Sequence, residues 1–249
     1  FQPQRAPFPS ETGIPRVDYT ATDGQKLFAY IIGDPSRTPG LLIAFHGNAD
    51  LAIRQVDWAK EVVRRTGIVV MVVEYRGYMG LEGKPTYESS RLDAEAAYRF
   101  ATDSLQVLPR NIAFFGHSLG TAIATELAVR HEPAALVLQS PFTSAREMSG
   151  IIIGRRPADL TWNIVSRLHF DTQTNVGSLN TPVSVAHGND DRLIPSRMGQ
   201  SVFDAAKVKG GWLLVRGGSH NDVEQRGGEA YWSWLVGALE PLHDKAEVR

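Results

Sequence analysis

Short apolar segments alternate with longer amphipathic ones along most of this chain. Apolar runs of strand length lie at residues 41–45, 68–73, 111–115, 135–138 and 182–187. Between them, segments such as 52–65, 89–102 and 121–131 have the spacing of helices that pack on a sheet. Two strand-like segments, 17–19 and 27–32, precede this alternation. The pattern predicts an α/β fold with a mostly parallel sheet that is covered by helices on both faces.

One turn between a predicted strand and a predicted helix carries a recognisable motif, Gly116-His117-Ser118-Leu119-Gly120. A serine in a G-x-S-x-G sequence at such a turn is typical of the nucleophile of a serine hydrolase. The sharp turn crowds the positions two before and two after the serine, and glycine lacks the Cβ that would clash there. We predict that Ser118 is the nucleophile and that His117 lines the pocket beside it.

A serine hydroxyl needs a general base, and the base needs an acid that orients it. In the fold that this motif indicates, the acid and then the histidine follow the serine along the chain. Two histidines lie late enough, His220 and His243, and His243 belongs to a charged terminal segment. His220 follows the apolar run 212–215 and a Gly-Gly-Ser segment, so we predict that it is the base.

The acid is expected in the loop after the strand at 182–187. Asp190 and Asp191 are adjacent in that loop. Both side chains cannot point at one imidazole, and an aspartate in a turn also accepts hydrogen bonds from the backbone. The residue pattern therefore leaves the choice between the two aspartates open.

Catalysis also requires backbone N–H groups that stabilise the charge on the substrate carbonyl oxygen. One donor is expected to be the amide of Leu119, the residue after the nucleophile. The other is expected to be the backbone amide of Asn48, in the segment His46-Gly47-Asn48-Ala49 after the strand at 41–45. An ordinary Gly-Asn turn is the alternative interpretation of that segment.

Composition excludes several other functions. The 249 residues have a net charge of −1 and no basic stripe, so we expect no nucleic-acid partner. The chain contains no cysteine, which excludes thiolate chemistry. His187, Asp190 and Asp191 lack the spacing of a metal site, so neither a metal nor a cofactor is expected.

The longest apolar run, 68–73, is too short to span a bilayer. Because the chain begins at Phe1 rather than Met, we expect an anchored or exported protein if an upstream segment was removed, and a cytoplasmic one otherwise.

A long segment between residues 140 and 181 interrupts the alternation of strands and helices. It is rich in apolar residues, including Met148, Ile152 and Trp162. We expect residues 141–180 to form a small cap inside a single domain of residues 1–249, with these three side chains in the substrate pocket. The alternative is a surface helix whose apolar face joins the main core.

The chain resembles the α/β-hydrolases, and within them the branch that includes membrane-tethered serine hydrolases and protein depalmitoylases. The resemblance runs from about Val17 to Leu239. Its motifs are His46-Gly47-Asn48-Ala49, Glu74-Tyr75-Arg76-Gly77-Tyr78, Gly116 to Gly120, His187-Gly188-Asn189-Asp190-Asp191 and Gly218-Ser219-His220-Asn221-Asp222. The His-Gly-x-x-Asp pattern implies that Asp191 is the acid, and the resemblance implies membrane association through a segment upstream of Phe1. Glu74 and Met79 depart from the pattern, where the branch usually has Asp and Gly.

Together these features predict a cofactor-free serine hydrolase that cleaves carboxylic esters through an acyl-enzyme on Ser118. A thioesterase or protein depalmitoylase is the main alternative, so the expected substrate is a small acyl ester or thioester. An aminopeptidase-like amide hydrolase is less favoured, because an amide expels a poorer leaving group. A noncatalytic ligand-binding protein of this fold would lack a member of the triad, and none is missing.

Two charged residues beside these motifs have simpler explanations than catalysis. We expect Arg76 to form a salt bridge within the protein rather than to bind an acidic substrate. Asp222 is expected to cap the turn that follows it, and the alternative is that it holds the loop that carries His220.

Overall fold

Eight strands form one sheet in the computed structural model, which describes residues 1–2, 13–38, 40–153 and 169–244. The strands are β1 (Arg16–Thr20), β2 (Lys26–Ile32), β3 (Leu41–Phe45), β4 (Val69–Val73), β5 (Ile112–His117), β6 (Leu136–Gln139), β7 (Val183–Gly188) and β8 (Lys209–Val215). Their order is β1-β2-β4-β3-β5-β6-β7-β8. The pairs β1 with β2 and β2 with β4 are antiparallel, and the remaining pairs are parallel. The predicted mostly parallel sheet is confirmed.

Helices cover the sheet on both faces. They are α1 (Val56–Thr66), α2 (Tyr87–Arg99), α3 (Leu119–His131), α4 (Ala145–Ile153), α5 (Thr172–Ser178), α6 (Ser196–Ala205), α7 (Val223–Leu239) and α8 (Pro241–Asp244). Helices α1 and α7 contact each other on one face, whereas α2, α3, α5 and α6 contact one another in that order. Among the described helices, none has both the length and the apolar character needed to cross a membrane.

The central strands form where the sequence is continuously apolar. Every residue of β3 and β4 is buried, which is typical of parallel strands with helices on both sides. Helix α1 ends at Gly67, whose φ of +68° lies in the left-handed region that glycine adopts readily. This layering brings the carboxyl ends of β3, β5, β7 and β8 to one edge of the sheet, where the predicted site residues lie.

The predicted cap range, 141–180, is described in two parts. Helix α4 lies in the first part, and Met148 on it lines the cavity described below. Helix α5 lies in the second part and packs against α3 and α6, so that part belongs to the helical layer of the sheet. Trp162 and the side chain of Ile152 lie outside the described residues. The cap over the site therefore stays a prediction.

Candidate active site

Ser118 lies at the turn between β5 and α3. Its φ of +53° and ψ of −116° form a conformation that L-residues rarely adopt. A Cβ atom at Gly116 would lie 2.3 Å from the carbonyl oxygen of Gly120. A Cβ atom at Gly120 would lie 2.0 Å from the carbonyl oxygen of Phe45. The turn has the crowding that the spacing of the two glycines predicts, and only glycine fits at either position.

Three side chains from distant parts of the chain form a hydrogen-bonded line. His220 Nε2 lies 2.9 Å from Ser118 Oγ, and His220 Nδ1 lies 2.7 Å from Asp191 Oδ2. All three residues are less than 10% exposed, at 8%, 8% and 6% for Ser118, His220 and Asp191. A carboxylate accepts only, so Nδ1 carries the proton and Nε2 presents its lone pair to the hydroxyl. This tautomer is the one that a general base requires.

The Asp191 carboxylate divides its two oxygens between the backbone and two imidazoles. Oδ1 accepts hydrogen bonds from the N–H groups of Leu193 at 2.9 Å and Ile194 at 2.8 Å. Oδ2 faces His220 and also lies 3.3 Å from His187 Nε2. Burial raises the pKa of Asp191, but hydrogen bonds from His187 and His220 outweigh it and hold the pKa well below its ordinary value. The carboxylate is therefore ionised throughout the neutral and mildly acidic range.

Asp190 lies in the loop after β7 and contacts the loop that carries His220. Its side chain is exposed, and its N–H donates to the carbonyl of Gly218 at 2.9 Å. The Gly217 N–H donates to Asn189 Oδ1 at 2.6 Å. A Cβ atom at Gly188 would lie 2.2 Å from the Gly218 carbonyl oxygen, so the two loops touch backbone to backbone. Of the two adjacent aspartates, the structure brings Asp191 to His220 and leaves Asp190 at the surface.

Asp222 holds the loop that carries His220, and the expectation that it caps the following turn is wrong. Its Oδ1 accepts a hydrogen bond from the Ser219 N–H at 2.6 Å. Although Asp222 stands immediately before α7, its side chain makes no capping hydrogen bond to that helix. The carboxylate turns back because the loop presents an N–H group on that side. It thereby fixes the residue next to His220.

His187 is a partner of Asp191 that the sequence analysis missed. It is fully buried at the end of β7, and its Nε2 lies 2.9 Å from the carbonyl oxygen of Ile194. Both groups that face Nε2 are acceptors, so Nε2 carries the proton. Nδ1 has no hydrogen-bond partner among the described residues, and a Cβ atom at Gly199 would lie 2.2 Å from it. The His-Gly-x-x-Asp spacing was the available signal, but it indicated only the position of the acid.

The two predicted oxyanion donors, Leu119 and Asn48, both line the cavity in front of Ser118. Leu119 is the first residue of α3, and N–H groups in the first turn of a helix lack intrahelical partners. The Asn48 side chain accepts hydrogen bonds from the Gln2 N–H at 2.6 Å and the Tyr78 hydroxyl at 3.1 Å. No hydrogen bond of the Asn48 backbone N–H occurs within the described part of the chain, and its role as an oxyanion donor stays a prediction.

His117 lies between the loop after β3 and the loop that carries His220. Its Nε2 lies 3.2 Å from the carbonyl oxygen of His220. A Cβ atom at Gly47 would lie 3.2 Å from His117 Nδ1 and 3.3 Å from Ser118 Cβ, so this side of the site is tightly packed. Burial, together with the positive charge of a protonated His220, lowers the pKa of His117 to about 4. A neutral His117 can donate its Nε2–H to the carbonyl and brace the loop.

The loop after β4 contains the two departures from the resembled pattern. Met79 is fully buried and has a φ of +45°, in the region where glycine is favoured. Glu74 is also buried, and its carboxylate accepts hydrogen bonds from His46 Nε2 at 2.8 Å and from the N–H groups of Ala52 and Tyr75 at 3.0 Å each. Both residues therefore have structural roles, with Glu74 linking β4 to the segment after β3.

Arg76 forms the salt bridge that the sequence analysis expected. Its Nε donates to Asp93 Oδ1 at 2.8 Å, and one terminal nitrogen lies 2.6 Å from Asp23 Oδ2. Asp93 is only 3% exposed. The guanidinium is committed to these two carboxylates and ties the loop after β4 to α2.

Ser118 and His220 open into a cavity of about 1040 Å³. One group of lining residues comes from α4 and neighbouring segments and includes Phe142, Ala145, Met148 and Phe170. A second group lies towards α1 and α7 and includes Trp58, Phe115, Gln139 and Glu224. Phe1 and Gln2, which the sequence analysis did not place in the site, also line the cavity. No group of three or more metal-ligating side chains occurs in the described part of the chain.

The chain is similar in sequence and in structure to known hydrolases. Residues 36–173 match the family model described as serine aminopeptidase, S33. The chain is 31% identical to an uncharacterized protein of Mycobacterium tuberculosis over 232 residues, which is 90% of this chain and 80% of that protein. It is 29% identical over 186 residues to alpha/beta hydrolase domain-containing protein 17B of Homo sapiens, covering 75% of this chain and 62% of that protein. The Pyrococcus furiosus esterase Pf2001 has a similar structure, with a TM-score of 0.73 at 19% identity, over 96% of this chain and 98% of that one.

Proposed function

Because the chain belongs to the α/β-hydrolases, in the family described as serine aminopeptidase, S33, we propose that it is a serine esterase with Ser118, His220 and Asp191 as its catalytic triad. The observation that carries this proposal is the line of contacts at 2.9 Å and 2.7 Å through the two nitrogens of His220. It is the arrangement in which an imidazole can take the proton of a serine hydroxyl.

In the proposed mechanism, Ser118 Oγ attacks the carbonyl carbon of the ester while His220 Nε2 takes the hydroxyl proton. Asp191 holds the imidazole in its orientation and stabilises the positive charge that forms on it. The backbone N–H groups of Leu119 and Asn48 donate to the oxyanion of the tetrahedral intermediate. His220 then gives its proton to the leaving alcohol, and a water molecule repeats the steps to release the acid and restore Ser118.

The cavity supports small esters as the substrate class. Its α4 side presents Phe142, Met148 and Phe170, which suit a short or medium acyl chain. We extend the proposal to the cap: residues 141–180, as part of one domain of residues 1–249, would cover this side and contribute Ile152 and Trp162.

A substrate panel with a Ser118→Ala control tests the proposal. We expect the protein to hydrolyse p-nitrophenyl esters whose acyl groups are of short or medium length, about two to eight carbons. We also expect an acyl adduct on Ser118 that mass spectrometry detects. Ser118→Ala should lower kcat by about 10⁵-fold while the circular dichroism spectrum stays unchanged. Full ester turnover by Ser118→Ala would overturn the assignment of the nucleophile.

Matched substrates separate the other functions of this site. A thioester with the same acyl group tests the thioesterase alternative, and an aminoacyl p-nitroanilide tests the amidase alternative that the family description suggests. Faster turnover of either than of the matched oxygen ester would replace the esterase assignment. Tight binding of an ester without turnover or adduct formation would indicate a noncatalytic binding protein.

A further inference from the structure

A chain of buried hydrogen bonds leads from the helices on one face of the sheet to the end of β6. Trp58 Nε1–H, on α1, donates to the hydroxyl of Tyr231, on α7, at 3.0 Å. The Tyr231 hydroxyl donates to Oε1 of Gln139, the last residue of β6, at 2.8 Å. Trp58 and Gln139 are each 8% exposed, and Tyr231 is fully buried. None of these three side chains takes part in the proposed triad.

These hydrogen bonds determine the orientation of the Gln139 amide. Because the Tyr231 hydroxyl already accepts from Trp58, its single proton must be donated, and the Gln139 carbonyl oxygen is the acceptor. The Gln139 Nε2 is then turned away from Tyr231 and carries two N–H donors. It makes no hydrogen bond with the part of the chain that the structure describes, and it is not sealed in the interior. Gln139 lines the cavity that Ser118 and His220 share.

Gln139 stands one strand away from the proposed nucleophile. In the sheet it is paired with His117, and its backbone carbonyl accepts the Ser118 N–H at 3.0 Å. Neighbouring strands lie about 4.8 Å apart, and paired residues project to the same face. The amide therefore lies on the side of the cavity that Trp58 and Phe115 line, and Ser118 lines the same cavity.

We propose that Gln139 is a specificity-determining residue whose Nε2–H groups donate to an oxygen atom of the substrate. This inference rests on the esterase function proposed above. Because Nε2 faces the cavity, water satisfies its N–H groups in the free protein. A substrate oxygen that displaces this water keeps those hydrogen bonds, whereas a hydrocarbon at the same place leaves the donors unpaired. The substrate is then an ester with a second oxygen acceptor, such as an ether, ketone, hydroxyl or amide carbonyl, a few bonds from the scissile carbonyl. That oxygen belongs either to the acyl group or to the alcohol.

Pairs of nearly isosteric esters test this proposal and distinguish the two positions of the oxygen. The acyl pair is p-nitrophenyl methoxyacetate and p-nitrophenyl butyrate, and the alcohol pair is 2-methoxyethyl acetate and butyl acetate. For each pair the ratio of kcat/KM, oxygenated to plain, is compared between the wild type and Gln139→Met. The comparison cancels the intrinsic reactivity of the esters. We expect the ratio to fall about three- to tenfold in one pair, the effect of one hydrogen bond.

Gln139→Glu separates recognition from structural support. Glutamate keeps an oxygen for the Tyr231 hydroxyl but lacks the two N–H donors, so the ratio should fall as in Gln139→Met. A variant that only disturbs the fold lowers both members of a pair together and leaves the ratio unchanged. Ratios equal to the wild-type ratio in both pairs, for both variants, would overturn the proposal.

A binding measurement tests the hydrogen bond between Gln139 Nε2 and the substrate oxygen even if the protein hydrolyses none of the esters. In the Ser118→Ala background, ligand-observed NMR titrations give the affinity for all four esters with and without Gln139→Met. We expect weaker binding of one oxygenated ester on loss of the amide, with little change for its plain partner. Equal losses for both partners would reject the role of Gln139, whereas absent turnover alone would reject only the esterase function.

Discussion

Replacing Asp191 by asparagine should lock His220 in the wrong tautomer. The asparagine carbonyl oxygen would take the place of Oδ1, because the N–H groups of Leu193 and Ile194 require an acceptor there. The amide NH₂ would then face His220 Nδ1 where Oδ2 now lies at 2.7 Å. Nδ1 would have to accept, which moves the ring proton to Nε2, opposite Ser118 Oγ. In that state the imidazole cannot take the serine proton.

The loss should be about 10⁴-fold in kcat, which corresponds to roughly 5.5 kcal/mol in the activation free energy. The free energy of unfolding should fall only moderately. The amide oxygen keeps the two backbone hydrogen bonds, and although the NH₂ group loses the contact with His187 Nε2–H, that donor keeps the carbonyl of Ile194. Asp190→Asn is the matched control, since it makes the same chemical change one residue earlier, at an exposed side chain. Its kcat should stay within about twofold of the wild-type value, because surface substitutions have small effects.

Initial rates with a p-nitrophenyl ester at about pH 7.5 measure kcat for both variants, and circular dichroism checks that they fold. If Asp191→Asn keeps more than about a tenth of the wild-type kcat, or if Asp190→Asn loses as much, the carboxylate does not act as described.

Three further changes test the packing and the buried charges. Gly120→Ala should lower the free energy of unfolding by about 3 kcal/mol, because its Cβ would meet the Phe45 carbonyl at 2.0 Å, and urea titration measures this. Arg76→Met should cost about 3–5 kcal/mol by the same method, because it leaves the Asp93 carboxylate buried without its partner. The pKa of His117 near 4, against 6.5 in an unfolded chain, means that the unfolded state binds the extra proton between these values. Stability should therefore fall as the pH is lowered from 6.5 towards 4, and His117→Phe should flatten that slope in urea titrations at several pH values.

Each of these predictions has its own control. Gly237 lies in α7, and no atom lies within 4 Å of the place that a Cβ would take there, so Gly237→Ala should not destabilise the protein. The double variant Arg76→Met with Asp93→Asn should recover much of the loss, since the only carboxylate then left without Arg76 is that of Asp23, which is exposed. A wild-type slope that survives in His117→Phe would assign the pH dependence to other groups.

Much of the fold was predictable because burial on both faces leaves a continuous apolar run in the sequence. The bounds of β3 coincide with the predicted run 41–45. Helix α3 begins at Leu119, two residues before its predicted start. The backbone conformation of Ser118 determines where the helix starts, and the spacing of apolar residues carries no information about that conformation.

The site was predictable as far as its motifs reach. The spacing around Ser118 and the loop position of His220 indicated residues that the structure places in contact. The choice between the two aspartates needed a family resemblance, because both suit the same turn. In the chain of buried hydrogen bonds, Tyr231 lies 173 positions from Trp58 and 92 positions from Gln139 in the sequence. No local sequence pattern specifies which distant polar groups will pair in the interior. The contact of His187 with the acid is local, and it was missed because the His-Gly-x-x-Asp spacing was used only to place the acid.

The mutual attachment of the loop after β7 and the loop that carries His220 limits how this chemistry could be moved to another scaffold. Asp190 and Gly218 are joined by a hydrogen bond, and so are Gly217 and Asn189. If only the loop that carries His220 were grafted onto another protein, it would lose both hydrogen bonds to the loop after β7, which help to hold its conformation. The two loops would therefore have to be transferred together. The turn that carries Ser118 is built from its own strand and helix, so a host protein with a similar strand and helix could provide it.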